Sequence, residues 1–421
     1  MSDVREADCV IVGGGIGGAV LAFLLGREGH RVAILEKERQ PPHIARPEVL
    51  AGSTVQVFER LGLGPRMREE AVLPLEGLEL WHGRRRPLLQ LTREDFARAG
   101  VQPHSTDPGR TRQLLLDAAS ATGAVEVHRG VEVMEFLREG GRLSGVRAVD
   151  GARRLEWRAR LIVGDDGGRS RVREAMGIPL RVQPFPLEFL TASGPALPGT
   201  SAGTGEAWVE PGRIRSGLFA GLFLPLPDRR TTLVFLLSPQ AFRRYQSGDP
   251  QTFYAAAAGL SPRCERLAAA HRFPEGFTHV RRPYGHAPRY VADGAALMGD
   301  AAHPVTPAGG QGANMSVADA VALAEVAHAA LTRDHCSARD LAPYEAERRP
   351  ANERSVQISR GAGRVLGALK LCPWLASPLL RFLLGRVNEV RNRDRFLRGV
   401  AQAFVSRPPA DYREEFRKPS A

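Results

Sequence analysis

Lysine is nearly missing from this sequence. Lys37, Lys370 and Lys418 are the only three among 58 basic residues, so arginine carries the formal net charge of +12. The arginines are scattered, apart from short runs such as Arg84–Arg86, and aromatic residues make up only 6% of the chain. The usual nucleic-acid surface, a basic stripe interleaved with stacking rings, is absent, so no nucleic-acid partner is expected. Cysteine is scarce too. Cys9, Cys264, Cys336 and Cys372 are far apart, with no Cys-x-x-Cys pair, which argues against a disulfide framework or a zinc ribbon. The opening stretch MSDVREADCVIVGGG has neither the n-region nor the cleavage site of a secretory leader. Free thiols in a reducing, cytoplasmic setting are therefore the expectation. No uninterrupted run of about twenty apolar residues occurs, and no membrane-spanning helix is expected.

Glycine is in excess, at 45 residues, with 31 prolines. A chain of 421 residues is too long for one ordinary core, so two domains, or one domain carrying an insertion, are expected. The most informative segment is DCVIVGGGIGGAVLAFLLGREGHRVAILEKE, which reads as strand, glycine turn, helix and strand. Val10, Ile11 and Val12 form a continuous apolar run, as in a strand covered on both faces. Ala19, Leu21, Ala22, Leu24 and Leu25 give the helix its apolar face, and Gly29 ends it. The turn holds Gly13-x-Gly15-x-x-Gly18, with Ile16 and Gly17 opening the helix. The first glycine permits the tight turn, the second lets a pyrophosphate approach the backbone, and the third lets helix and strand pack closely. Unpaired N–H groups at the helix start then face the phosphates. Glu36, followed by Lys37, closes the second strand, where a carboxylate accepts hydrogen bonds from a ribose and repels a 2′-phosphate. This motif alone does not separate NAD from FAD.

Further along, Val55, Phe58 and Leu61 suit an amphipathic helix within ARPEVLAGSTVQVFERLGL, with Arg46 in the loop before it. TRQLLLDAASAT reads as another helix, AVEVHRGVEVMEF as strand, and LSGVRAVDG with RLEWRARLIVG as a hairpin. That hairpin runs into the turn DDGGRSRVREAMG, with Asp166 and Gly167 at the tip and a helix from about Ser170 to Met176. Between about 180 and 282 the pattern changes to antiparallel strands with turns, read as an inserted sheet. GAALMGD at 294–300 returns to the buried parallel style, and an alanine-rich helix follows from near Asn314. The tail is helical and basic. Its apolar stretch GRVLGALKLCPWLASPLLRFLLGRV is broken by Lys370, Pro373, Pro378 and Arg381. Two readings stay open for it, a helix covering the core and a peripheral membrane contact.

Three strand-end turns therefore carry glycine and acid, and all should lie at the C-terminal edge of one parallel sheet, where α/β folds bind ligands. The last of them is GDAAHPVTPAGGQGAN, Gly299 to Asn314. Asp300 follows a buried strand and can accept hydrogen bonds from a polyol. Pro304 and Pro307 stiffen the loop, and Gly309, Gly310 and Gly312 clear space for a flat ring against the backbone. The helix beginning near Ala313 and Asn314 points its positive end at that ring, which favours a reduced, anionic one. Polyol, flat ring and anion together indicate FAD rather than NAD. Asp300 and His303 are too close in sequence for a serine-type triad, and His303 has one nearby acid and no second histidine, too few ligands for a metal. His303 is expected to support the loop through a backbone hydrogen bond.

With these three motifs in this order, the chain resembles the FAD-dependent aromatic hydroxylases, single-component flavoprotein monooxygenases of the p-hydroxybenzoate hydroxylase type. Ubiquinone-pathway hydroxylases and squalene epoxidases are relatives of that family. The resemblance covers most of residues 8–345. It implies an α/β fold: a Rossmann-like FAD-binding domain, an inserted antiparallel-sheet substrate domain and a helical C-terminal tail. The corresponding boundaries are 1–179 with a small sheet excursion near 74–100, 180–282, 283–350, and 351–421. It also implies that Asp300 binds the ribityl chain, that Pro307, Gly310 and Gly312 lie against the isoalloxazine, and that Asp166 and Gly167 serve FAD and NAD(P)H. Arg46 and Arg112 would contact FAD, with Arg110 competing for the second role. The implied chemistry is reduction of FAD by NAD(P)H, then addition of O2 to give a C4a-hydroperoxide that transfers one oxygen atom to substrate. No obligatory side-chain nucleophile is implied. In the inserted sheet, Leu218, Phe219, Leu222, Phe223 and Leu224 are candidates to line an apolar pocket, with strand core as the alternative; Leu222, Phe223, Leu224 and Pro307 are the expected substrate contacts. An apolar, aromatic or polycyclic substrate is expected. The alternatives are a flavin-dependent reductase of isoprenoid lipids or halogenase, whose tryptophan-bearing motif GLFAGLFLPLP lacks, and a non-catalytic FAD-binding protein.

Overall fold

A computed structural model describes residues 3–40, 48–82, 87–196, 203–214, 217–281, 283–306 and 310–371, with isolated positions in the C-terminal tail. Arg46, Arg84–Arg86, Pro307 and Gly309 lie outside the described residues.

The core is a sheet in the order Val291–Ala292, Ala295–Leu297, Arg153–Gly164, Asp3–Val12, Val32–Glu36 and Val125–Arg129. The last five run parallel, and the short edge strand Val291–Ala292 is antiparallel. Every residue of Val32–Glu36 is buried, as a strand covered on both faces must be. The hairpin Arg142–Asp150 with Arg153–Gly164 extends the sheet, and Val131–Glu139 pairs onto it. Helix Ile16–Arg27 packs between Pro108–Ser120 and Gln311–Thr332. Gln311–Thr332 is long and apolar enough by composition to cross a membrane, yet most of its apolar window is buried inside the protein. Alanines at 320, 322, 324, 327 and 330 leave it thin enough to sit in the core.

The second sheet has seven strands, ordered Thr278–Val280, Glu188–Pro195, Arg230–Leu237, Leu218–Leu226, Thr204–Val209, Gly77–Trp81 and Pro87–Thr92. The sheet excursion near 74–100 is thus an edge of this same sheet, because Gly77–Trp81 pairs in parallel with Thr204–Val209. The 180–282 segment is also not all strand. Helices Pro239–Gln246, Pro250–Ala258 and Pro262–Ala270 cover one face of the sheet. Each begins with a side-chain cap, Ser238, Asp249 or Ser261, followed by proline in the first turn, a combination that satisfies early N–H groups and presets φ. The expected boundary at 350 falls inside one helix, Ala338–Leu371, which runs through Pro343 and Pro350.

Strand alternation corrects the pocket assignment. Leu222 and Leu224 belong to the face that packs near Val49, Leu78 and Leu80. Phe223 points the other way, into the helix-covered core, where its ring meets Phe235 at 6.1 Å. Leu218 is also in that core. In the tail, Leu397 and Val387 pack with Leu75, Leu89 and Phe96, and Arg393 pairs with Asp95 at 3.3 Å. At these positions the tail covers the core.

Candidate functional site

Val12 pairs with Gly164, and Gly164 with Leu297, so three neighbouring parallel strands end level with one another. Their turns consequently meet at one edge of the sheet. Gly13 has φ +99°, and a Cβ there would lie 2.4 Å from the Asp165 carbonyl oxygen. On Gly15 it would lie 2.4 Å from Asp165 Oδ2, and on Gly17 2.6 Å from Met298 Cε. Gly17 therefore packs the first turn against the strand that carries the third. The Gly18 N–H donates to Asp165 Oδ2 at 2.9 Å. Helix Ile16–Arg27 starts at Gly15 without a side-chain cap, and Gln311–Thr332 starts at Gly310 (φ +65°) in the same way. Elsewhere six helices are capped by Thr92, Asp107, Ser170, Ser238, Asp249 and Ser261, while Gly52–Arg60 and Gly64–Glu70 also start without a side-chain cap. The two bare helix ends at Gly15 and Gly310 leave their positive poles available to an anion.

Glu36 accepts from Gly14 N at 3.0 Å and Glu38 N at 2.9 Å. Arg112 Nη1 stands 3.8 Å from its carboxylate, and burial pulls the Arg112 pKa down while Glu36 opposes that shift. Arg110 instead forms a surface ion pair with Glu70 at 2.5 Å, and Arg112 is the one of the two that stands beside Glu36. Lys37 is exposed.

Asp166 Oδ2 accepts from Arg171 N at 2.7 Å and Val172 N at 3.3 Å, so this carboxylate holds the start of helix Arg171–Ala175. Gly167 adopts φ +78° beside it. Burial raises the Asp166 pKa despite hydrogen bonds that lower it. Arg173, almost fully buried, donates to Ala301 O at 2.8 Å and Gly168 O at 3.0 Å, tying the second turn to the third.

In the third turn, a Cβ on Gly312 would lie 4.0 Å from Asp300 Oδ1, which places the carboxylate over the start of the helix. His303 does more than the expected backbone bond. Its N–H does donate to Gly299 O at 2.9 Å, but Nε2 also pairs with the fully buried Asp319 at 2.5 Å. Asp319 further accepts from Gly299 N, Arg348 Nε and Asn352 Nδ2 at 3.1, 2.9 and 2.9 Å. Burial alone would raise the Asp319 pKa, yet His303 and Arg348 hold it well below the usual carboxylate range. The helix starts at Gln311, earlier than expected, so Ala313 lies in its first turn and Asn314 one step deeper. Asn314 is not placed to hold a ligand through its amide. Its Oδ1 accepts from Ala51 N and Thr54 Oγ1 at 2.9 and 2.7 Å, and its Nδ2 donates to Val49 O and Gly310 O at 2.9 and 3.0 Å. All four hydrogen-bonding capacities are used to clamp strand Glu48–Leu50 and helix Gly52–Arg60 to this turn.

Sequence reasoning missed Asp165, Glu48, Arg173 and Asp319. Asp319 had a signal, since it is the first acid in an otherwise alanine-rich helix. Glu48 lies next to Val49, whose backbone a Cβ on Gly310 would approach at 3.3 Å. Burial, then Asp300, then Asp107 push its carboxyl up to about 7.

These residues fit a dinucleotide. Three buried polar atoms without protein partners, Arg112 Nη2, Asp166 Oδ1 and Thr306 Oγ1, belong to or adjoin the three turns. Such orphans ask for a ligand's hydrogen-bonding groups. The glycine cradle excludes side chains where a pyrophosphate would approach. Among the described residues no group of three or more His, Cys, Asp or Glu is placed to hold a metal.

Comparison with known proteins decides the family. The model of the FAD binding domain matches residues 6–359. The chain belongs to the FAD-dependent aromatic hydroxylases. It is an FAD-dependent oxidoreductase of the flavoprotein monooxygenase type. It is similar to 6-methylpretetramide 4-monooxygenase of Streptomyces rimosus, at 28% identity over 99% of this chain and 93% of that protein. Rifampicin monooxygenase of Streptomyces venezuelae is 32% identical over 74% of this chain and 62% of its own length. Among solved structures, PqsL of P. aeruginosa in complex with 2-aminobenzoylacetate superposes with a TM-score of 0.74 at 28% identity, over 86% of this chain and 97% of that one. The two-sheet architecture is the fold of these flavoproteins.

Proposed function

We propose that this chain uses NAD(P)H and O2 to hydroxylate or epoxidise an apolar aromatic or polycyclic small molecule. The observation that carries the proposal is an apolar layer that joins the third turn to the inserted sheet. Phe185 packs both with Val305 and Met315, which belong to the third turn and its helix, and with Phe189, Val234 and Val280 of the inserted sheet. Leu222 continues that layer toward Leu224 and Val49. A flat apolar ligand seated against this layer loses water where it touches it. The names of the relatives, specifying 6-methylpretetramide and rifampicin, support a large ring-bearing substrate for this chain as well.

The residues assigned to FAD are those of the three turns. Gly13, Gly15, Ile16, Gly17 and Gly18 cradle the pyrophosphate, with Glu36 and Arg112 at the adenosine end. Asp300 takes the ribityl chain, and Gly310, Gly312 and Ala313 face the ring through the bare helix start. Asp166 and Gly167 shape the second turn. The bound flavin supplies the hydride acceptor and the oxygen-activating centre. The protein's own residues orient it, exclude water and hold substrate against it. Glu48 is the titratable group of the cleft with a pKa near neutrality, suited to exchange a proton with a phenolic substrate. The test is a ligand screen for acceleration of NADPH-dependent flavin reduction, followed by mass spectrometry. Ring-bearing hits that gain one oxygen atom support the proposal. Ligand-stimulated NADPH oxidation that never oxygenates the ligand contradicts it.

A further inference from the structure

One acid of the cleft has no part in the roles assigned above. Asp165 leaves the central strand where the three turns converge. Its N–H donates to Val12 O at 2.9 Å, and its Oδ2 accepts the Gly18 N–H at 2.9 Å. A Cβ would lie 2.4 Å from Oδ2 if placed on Gly15, 2.8 Å from it on Gly18, and 3.1 Å from Oδ1 on Gly299. The absence of side chains at these glycines leaves room for this carboxyl. It forms the floor between the pyrophosphate turn and the Asp300 turn.

The surroundings disfavour a charge there. Asp166 on its own turn, Asp300 on the third turn and Glu36 at the end of the second strand all bear on it, and Arg112 of helix Pro108–Ser120 opposes them. The first helix contributes a backbone N–H and no charged side chain. Burial first, and then the three acids, hold the Asp165 carboxyl well above the usual range, against the Gly18 hydrogen bond. A pyrophosphate carried to the Gly15 backbone brings further negative charge to the same floor. Like charges at such separations exclude one another from being ionised together.

We propose that Asp165 is a positioning residue that receives the dinucleotide in its neutral acid form, so that cofactor affinity is linked to one proton at this position. In that form Oδ2 remains the acceptor for Gly18 while Oδ1 carries the proton on the side of the third turn. When Asp165 is ionised, it must take up one proton from solvent as FAD binds. The inference rests on the assignment of these turns to FAD.

The test is FAD binding to flavin-stripped protein, followed by fluorescence quenching from about pH 6 to about pH 9.5. The protein with Asp165 is compared with Asp165→Asn, which keeps the shape of the neutral acid and an oxygen acceptor for Gly18. Both carry Glu48→Gln, so that the carboxyl near neutrality does not contribute. At about pH 6 the two dissociation constants agree within roughly threefold, and above the Asp165 pKa only the protein with Asp165 weakens, by up to about tenfold per pH unit. Calorimetry in two buffers of different ionisation enthalpy reads proton uptake on the alkaline side for the Asp165 protein and none for the variant. A ratio of dissociation constants that stays constant over the range overturns the proposal, as does an Asn variant weaker throughout. If the Asn variant does not fold, calorimetry on the Asp165 protein decides alone, and absence of alkaline proton uptake overturns it. Failure of both proteins to bind FAD would instead overturn the cofactor assignment.

Discussion

Replacing Asp319 with Asn tests whether the third turn is held from beneath rather than by its own prolines. Asp319 is fully buried and satisfies Gly299 N, His303, Arg348 and Asn352 at once. The amide keeps one oxygen and turns two N–H donors toward groups that are themselves donors. Arg348, only 3% exposed, is left as a buried cation without its counter-charge. Breaking one side of a buried pair costs roughly 3–5 kcal/mol. With about 2.1 cal/mol/K of unfolding entropy per residue, a chain of this length loses on the order of 1 °C of Tm per kcal/mol. A Tm lower by about 3–5 °C is therefore expected in differential scanning fluorimetry. FAD retention should fall with it, because one amide oxygen cannot hold both Gly299 N and Arg348 Nε in place. The pH dependence has a definite sign. The folded pKa of Asp319 is depressed, so its stabilisation is complete above the ordinary aspartate value of about 3.9 and fades only as pH falls toward the lower folded value. The gap between wild type and variant should therefore be flat from neutral pH down to about pH 5. An unchanged Tm together with unchanged FAD affinity would refute the reasoning.

Arg112→Met should weaken FAD binding by at least about tenfold, the loss of one charge-assisted hydrogen bond, whereas Arg110→Met, which removes only a surface pair with Glu70, should leave it unchanged; fluorescence titration of the two variants separates them. Glu48 has its pKa raised to about 7, so the folded protein holds a proton that the unfolded chain releases, and stability falls as pH rises between the unfolded value near 4.3 and about 7. Glu48→Gln should accordingly melt higher than wild type at about pH 8 and no higher at about pH 4. Phe223→Ala should destabilise the inserted domain by roughly 3–5 kcal/mol with little change in substrate preference. Leu222→Ala should do the reverse, shifting KM for the substrate at nearly constant Tm; denaturant melts and steady-state kinetics on both variants check the assignment.

The cofactor edge was legible in the sequence because each of its parts is local. A strand, a glycine turn and a helix follow one another within a few residues at Gly13, Asp166 and Asp300, and periodicity identifies each separately. What holds the turns together was not legible. Arg173 reaching Ala301, and Asp165 lying under Gly15 and Gly299, depend on which strands become neighbours, and no local pattern encodes that. Two misreadings had local signals. The strand period of two already separates Phe223 from Leu222 and Leu224. The pairs Ser238–Pro239, Asp249–Pro250 and Ser261–Pro262 are helix starts, but the helices are only 8, 9 and 9 residues long, too short for an apolar stripe to stand out from neighbouring strands. The expected boundary at 350 falls at a proline, a residue that usually ends a helix, yet the chain continues through it in one helix. Asn314 was expected to bind the cofactor, but its amide is taken up by partners at 49–54, more than 250 residues away in sequence, so its role as a clamp became visible only in the fold.

The central claim is that this chain transfers an atom of dioxygen to an apolar ring-bearing substrate held against the Phe185–Leu222 layer. The most direct measurement is turnover of FAD-loaded enzyme with NADPH under isotopically labelled dioxygen, with a ligand that accelerates flavin reduction, read by mass spectrometry of the product. The account predicts a product heavier by one labelled oxygen atom, and loss of that product in Asp300→Ala as FAD retention fails. A product reduced or halogenated without labelled oxygen, or labelled oxygen recovered only in hydrogen peroxide and water with every such ligand, would contradict it.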